Sequence, residues 1–187
     1  MIRPATPRDV EAVVPLIIQA MDKLAQKLTH TNDKEVINKI FKHFFVQTGN
    51  QYSYENTLVF EDEGEIIGSI NAYDGAKLLA LRKPFLTYLA EHYQTNDNSK
   101  DVETESGEFY LDTISVNPLM QGKGIGKQLI KAGIAWAKQL GHYNIGLLVE
   151  QNNDRALKLY QNIGFAIQNE KQFMGGLYHH MVFKINC

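Results

Sequence analysis

Apolar residues recur at helical spacing through the first part of the chain, as Val10, Val13, Val14, Ile17, Ile18, Met21, Leu24 and Leu28. This rhythm predicts one long helix, bent near Pro15, whose ring removes a backbone donor. Thr6-Pro7-Arg8-Asp9 precedes it as an N-cap with proline at the first helical position. Residues 1–5 alternate and predict a short strand. A second helix is expected from about Asp33 to Val46, with Val36, Ile37, Ile40, Phe41, Phe44 and Phe45 on its buried side. Thr57 to Glu61 and Glu65 to Tyr73 then alternate at a period of two around Asp62-Glu63-Gly64, which is a hairpin signal.

Residues 74–107 have another texture. Pro84 to Tyr93 predicts a short helix, within an apolar series that includes Leu78, Leu79, Leu81, Phe85, Leu86 and Leu89. Gln94 to Gly107 is polar and partly acidic, with Asp97, Asp101, Glu103 and Glu105, and is expected to be a mobile loop. Regularity then returns. Phe109 to Val116 predicts a strand, Gly124 to Leu140 an amphipathic helix, Ile145 to Glu150 a strand and Asp154 to Ile163 a helix. Gly164 to Ile167 starts another strand, and Tyr178 to Ile185 is the last one. A hairpin followed by alternating helices and strands predicts a mixed sheet covered by helices.

Composition narrows the classes. With 187 residues the chain is expected to form one domain over 1–187 with a substantial core. A formal charge of −2 gives no broad basic surface, so nucleic acid is not an expected partner. No apolar run approaches the roughly 18–20 residues of a membrane helix. Met1-Ile2-Arg3-Pro4 carries no signal-peptide pattern. Cys187 is the single cysteine, so an internal disulfide is impossible and a cytoplasmic location is the default. It is read as a tail residue, because a nucleophilic thiolate needs electropositive surroundings.

The densest chemical signal runs from Asp112 to Lys127, as a strand, an Asn117-Pro118 stop, a glycine cluster and a helix start. Glycines let the backbone turn tightly and approach a ligand. The helix N-terminus adds free N–H groups and a positive dipole end, which suit a phosphate, and Lys123 and Lys127 add charge. A P-loop would need one more residue between Gly122 and Gly126, and a hydroxyl where Gln128 stands. A dinucleotide fingerprint fits at Gly122 and Gly124 but fails at Lys127.

The spacing Gln121, Gly124, Gly126 resembles the pyrophosphate motif of the GNAT superfamily of acetyl-CoA-dependent N-acetyltransferases. Asn153-Asp-Arg-Ala156-Leu-Lys-Leu-Tyr160-Gln-Asn-Ile-Gly164-Phe165 resembles the second signature of that family. The resemblance covers 108–168, and the start of the chain follows the family manner. It implies an α/β domain with a mostly antiparallel, seven-stranded sheet, splayed between strands 4 and 5 to admit acetyl-CoA. It also implies cofactor contacts from Ile114, Ser115, Val116, the turn Gln121, Gly122, Lys123, Gly124, Ile125, Gly126 and Lys127, and from Asn153, Ala156 and Tyr160. Family members usually join strands 3 and 4 by a short connection, so 74–107 reads as an insertion. It is expected to be a lid over the acceptor side, set against a surface excursion or a dimer contact.

Acetyl transfer to an amine needs a neutral amine, a polarised carbonyl and a proton for the leaving sulfur. Tyr160 is the candidate general acid, because a phenol of pKa near 10 keeps its proton at pH 7. Asn153, Ala156 and Tyr160 can share one helical face, and Asn153 also suits a helix cap. Glu108 and Asp112 are the candidate bases, on one strand face with Tyr110, Ile114 and Val116 by the period of two. A carboxylate at a strand entrance is otherwise solvated. Glu150 and a water chain are further candidates. His179 and His180 face opposite sides of the last strand, and no metal is expected. The reaction so implied is direct attack by a small-molecule or peptide amine on acetyl-CoA, in a monomer or homodimer. Transfer of another acyl group, acetylation of a protein amine and a silent acyl-CoA sensor are the rivals.

Overall fold

The computed structural model describes residues 1–93, 95 and 101–186. The expectations for Cys187 and for most of Gln94 to Lys100 lie outside these residues. One sheet organises the chain. Its strands are β1 (Ile2–Pro4), β2 (Thr57–Asp62), β3 (Glu65–Asp74), β4 (Glu108–Val116), β5 (Asn144–Glu150), β6 (Ala166–Phe173) and β7 (Gly176–Lys184). Their order is β1-β2-β3-β4-β5-β7-β6, and every neighbouring pair is antiparallel except β4 with β5. This is the mixed, mostly antiparallel seven-stranded sheet expected from the sequence.

Helices cover both faces. α1 (Val10–Met21), α2 (Lys23–Thr29), α3 (Lys34–Phe45) and α4 (Leu78–Tyr93) share one apolar cluster, in which Phe41, Phe44, Phe45, Tyr52 and Phe85 interlock. The aromatic run of α3 is thus core. α5 (Ile125–Gln139) and α6 (Asp154–Ile163) pack on the other face through a second cluster that includes Leu129, Ile130, Phe165 and Met181. Among the described residues no helix is long and apolar enough to cross a membrane.

Three local expectations change. The first helix is not one long element: Pro15 lies inside α1, and the helix breaks at Asp22, whose φ of 47° and ψ of −120° end α1 and start α2. α4 begins at Leu78 and not at Pro84, because Asp74 accepts from the Ala76 N–H and starts a turn that runs into the helix. Residues 101–107 are tied down. Glu103 and Thr104 are buried, the Thr104 hydroxyl donates to the Gly75 carbonyl at 2.8 Å, and Lys171 bridges Glu105 at 3.2 Å.

The strand that carries the glycine turn is irregular. Ala72 of β3 faces Leu111 and Asn71 faces Thr113, so Asp112 is an extra residue, a β-bulge. A bulge re-aims side chains and breaks the two-residue period. Tyr110 packs with Tyr73 and Leu78, and Asp112 bonds to Tyr73. Beyond the bulge Ile114 and Val116 join the α5 cluster, while Ser115 turns toward α1. The expectation that Glu108, Tyr110, Asp112, Ile114 and Val116 share one face therefore fails at the bulge.

Candidate active site

β4 and β5 pair only through Glu108–Asn144, Phe109–Ile145 and Tyr110–Gly146. Beyond Tyr110 the strands part, each still paired on its other side, β4 with β3 and β5 with β7. The sheet thereby opens a gap with polar backbone along its edges. Two clefts meet in it.

The first cleft, about 460 Å³, lies between the glycine turn and α6. Of the residues that the family resemblance names as cofactor contacts, its walls bring together Ile114, Val116, Gln121, Gly122, Gly124, Ile125, Gly126, Lys127, Asn153, Ala156 and Tyr160. Gly124 caps α5 with φ of 79°, a conformation that glycine adopts without strain, and no side chain caps this helix. Its first-turn N–H groups and positive dipole end face the cleft, an arrangement suited to a phosphate. A Cβ on Gly126 would come no closer than 3.9 Å to another protein atom, so the space above the helix end is open.

Two predicted contacts are not on this wall. The Ser115 hydroxyl accepts from Gln19 at 2.8 Å on the α1 side, and the Lys123 ammonium lies 3.4 Å from the Met120 sulfur. Arg155, which sequence reasoning passed over, lines the cleft with Lys127. Its position in the first turn of α6 was the available signal. Asn153 caps α6, accepting from the Ala156 N–H at 3.1 Å.

The second cleft, about 500 Å³, opens on the α1 side. It shares Ile114, Asn153, Ala156 and Tyr160 with the first and adds Asp22, Glu103, Asp112 and Glu150. Tyr110, Phe173, Tyr178, Met21, Leu24 and Leu148 supply apolar wall. Tyr160 stands where the clefts join, its ring edge-on to Phe165. Burial pushes its phenol up to about 12.

The candidate bases separate. Glu108 lies in the closed part of the sheet, buried and not solvated. It accepts from the Glu105 N–H at 2.7 Å and contacts His180 Nε2 at 2.9 Å. Its carboxylate fills the space over Gly146, where a Cβ would meet Oε2 at 2.1 Å. Glu108 lines neither cleft. Asp112 does line the second one, half-buried, with Oδ2 accepting from Gln51 Nε2 at 2.9 Å and from the Tyr73 hydroxyl at 3.1 Å. Burial pushes its carboxyl above the usual range, against the pull of Gln51 and Arg82. Glu150, at the end of β5, takes a weak bond from the Tyr178 hydroxyl at 3.5 Å. His179 lies 4.0 Å from Glu170, away from His180. Among the described residues no three His, Cys, Asp or Glu groups are placed to hold a metal ion.

Comparison with known proteins adds an independent line. The model of the acetyltransferase (GNAT) family matches residues 22–165. A mycothiol acetyltransferase of Propionibacterium freudenreichii is 35% identical over 95 residues, 51% of this chain and 29% of that protein. The spermine/spermidine N(1)-acetyltransferase of Bacillus subtilis is 36% identical over 76 residues, 40% of this chain and 50% of that protein. The chain thus matches half or less of these relatives' length. A solved N-acetyltransferase from Staphylococcus aureus Mu50 superposes with a TM-score of 0.86 at 26% identity, covering 98% of this chain and 100% of that one. The PaiA N-acetyltransferase of Thermoplasma acidophilum, solved with coenzyme A, shares the fold at a TM-score of 0.57 and 16% identity, over 99% of this chain and 98% of its own. By the family match and by the splayed sheet, the chain belongs to the GNAT acetyltransferase family.

Proposed function

We propose that this chain transfers the acetyl group of acetyl-CoA to a primary amine by direct attack, with Tyr160 as the general acid. The observation that carries the reading is the meeting of the two clefts at Tyr160, one lined by cationic groups and the other by carboxylates. The open N-terminus of α5, with Lys127 and Arg155, fits a pyrophosphate, and the unpaired edge of β4 fits an extended amide arm. Bound there, acetyl-CoA supplies an activated acetyl thioester.

The chain's own residues then manage protons. Tyr160 holds its proton through neutral pH and gives it to the departing sulfur as the N–C bond forms and the C–S bond breaks. The attacking amine gives up a proton through water to Glu150, which shares the second cleft with Tyr160. Glu108 has no part in this, because its carboxylate is engaged elsewhere. Asp112 lies deeper, on the wall of an inner recess that neither Glu150 nor Tyr160 reaches.

The test is thiol release from acetyl-CoA with a panel of primary amines, and mass spectrometry of the products. Amine-dependent release with N-acetylated product is expected. Tight acetyl-CoA binding with no release for any amine would establish the sensor reading instead.

A further inference from the structure

Behind the second cleft lies a recess of about 60 Å³, walled by Met21, Leu24, Leu28, Tyr52 and Phe173 and by the polar groups of Gln51, Arg82, Glu103 and Asp112. Glu103 and Asp112 line both spaces. The polar groups form one chain. Arg82 is ion-paired to Glu103 Oε1, donates from Nε to Gln51 Oε1 at 3.1 Å, and reaches the Asp101 carbonyl at 3.3 Å. Gln51 in turn donates to Asp112.

This chain leaves an unbalanced remainder. The Glu103 side chain is only 4% exposed, yet among the described residues its Oε2 has no hydrogen-bond partner. An orphaned acceptor at that depth is costly unless something arrives to donate to it. Asp112 is held by neutral donors alone, both on Oδ2. Arg82 neutralises one carboxylate of the two. Its fork is already shared among Glu103, Gln51 and Asp101, so it is not free to receive an anionic group. Burial raises both carboxyls above their usual range, as expected where two acids share one cation.

We infer that Glu103 and Asp112 form a distal cation subsite, which takes a second, protonated amine of an acceptor whose other amine reacts beside Tyr160. An ammonium group has three donors, enough to satisfy Glu103 Oε2 and Asp112 together. The second cleft, which Tyr160 lines and onto which Glu103 and Asp112 also open, has Tyr110, Leu148 and Phe173 among its walls, a lining suited to a methylene spacer. Among the described residues no lysine, arginine or histidine lines the second cleft to repel such a chain, and the one cation of the recess, Arg82, is paired with Glu103. The acceptor class is therefore an aliphatic diamine or longer polyamine. This rests on the amine-transfer reading for the end that reacts, but not for the end that is held.

The probes are 1,4-diaminobutane and n-butylamine, alike in length and different by one cation. Each is titrated calorimetrically into the full chain saturated with coenzyme A, and each is assayed for thiol release with acetyl-CoA. The diamine is expected to bind at least about tenfold tighter than the monoamine, because charged hydrogen bonds are the strong ones. That ratio should collapse to about threefold or less in Glu103→Gln and in Asp112→Asn. Equal binding in the unaltered protein, or a ratio that survives both substitutions, overturns the subsite. The first comparison needs no variant, so a substitution that fails to fold does not shield the inference. A diamine preference without thiol release would keep the subsite and remove the transfer reaction. Release without a preference would do the reverse.

Discussion

The two clefts share four residues and differ in how the chain builds them. The first is made from two short stretches, Ile114 to Lys127 and Asn153 to Tyr160. Its positive character comes from backbone N–H groups and two surface cations, Lys127 and Arg155. The second gathers Asp22, Glu103, Asp112 and Glu150 from four separate segments. Its negative character comes from side chains: Glu103 and Asp112 are held by pairing and hydrogen bonds, while Asp22 and Glu150 stand exposed at the rim. An anion site can be local, because a helix end already supplies donors and a dipole. A cation site has no such ready-made backbone feature here and must be assembled over long range. Tyr160 lines both clefts, and in the proposed mechanism it is where the difference is put to chemical use.

The sharpest way to break the comparison is to remove the proton at the junction and nothing else. Tyr160→Phe keeps the ring against Phe165 and should leave acetyl-CoA affinity unchanged. Turnover should fall by about 10²–10⁴-fold, the usual worth of general acid catalysis. Because burial lifts the phenol to about 12, the unaltered enzyme should lose no activity from this group as pH rises through 10. Single-turnover thiol release across that range measures both effects. Full activity in the variant would make Tyr160 a packing residue.

Next in size is a change confined to the acidic side. Arg82→Met leaves Glu103 buried without its cation, a loss that costs about 3–5 kcal/mol in buried pairs. Urea unfolding should report it, while the folded variant keeps its affinity for acetyl-CoA. A loss under about 1 kcal/mol would mean that Glu103 is protonated in the resting protein, in keeping with the direction in which burial moves it.

The same contrast explains what could be read from the sequence. The strands, α3, α5 and α6 stood out because their apolar periods are regular, and the first cleft because its residues fall in two short motifs. Eleven of the thirteen predicted contacts line that cleft, and the two that do not, Ser115 and Lys123, are neighbours of residues that do. The second cleft was hardly legible. Gln51, Tyr73, Arg82 and Glu103 look like ordinary polar residues until folding brings them to Asp112. The bulge at Asp112 erased the strand period that had put Glu108 and Ile114 on one face. Within the acidic loop expected to be mobile, residues 101–107 supply a buried wall instead, since Arg82 and Lys171 fix them from α4 and β6.

A smaller change tests whether the first cleft is kept open for a ligand. Gly126 lies in the first turn of α5 without positive φ, and its missing Cβ would meet nothing nearer than 3.9 Å. Alanine there should stabilise the free protein by up to about 1 kcal/mol, because it costs less backbone entropy in a helix. The same methyl would stand over the helix end and weaken acetyl-CoA binding by about tenfold, or 1.4 kcal/mol. Thermal melting and calorimetry should therefore move in opposite senses. If both improve, the glycine was not reserved for the pyrophosphate.

The smallest expected effect is at Asp22, and it asks the same question of the second cleft. Its φ of 47° with ψ of −120° is a conformation natural to glycine and strained for aspartate. Strained backbone of this kind costs about 1–3 kcal/mol and persists where the surrounding fold over-determines it. Asp22→Gly relieves that strain but gives back about 0.5–1 kcal/mol of chain entropy. A net gain near 1 kcal/mol should raise the melting temperature by about 2–4 °C. The substitution also removes a carboxylate from the rim of the acidic cleft. An exposed charge interacts weakly, so the acceptor KM should rise only by about two- to fivefold, and less at high salt. Gly126 and Asp22 would then be a matched pair. At each position the sequence gives up some stability, to leave a helix end open in one cleft and to place a charge in the other. An Asp22→Gly protein that is more stable and no weaker in KM would show that the strain at the α1–α2 break serves the turn and not the acceptor.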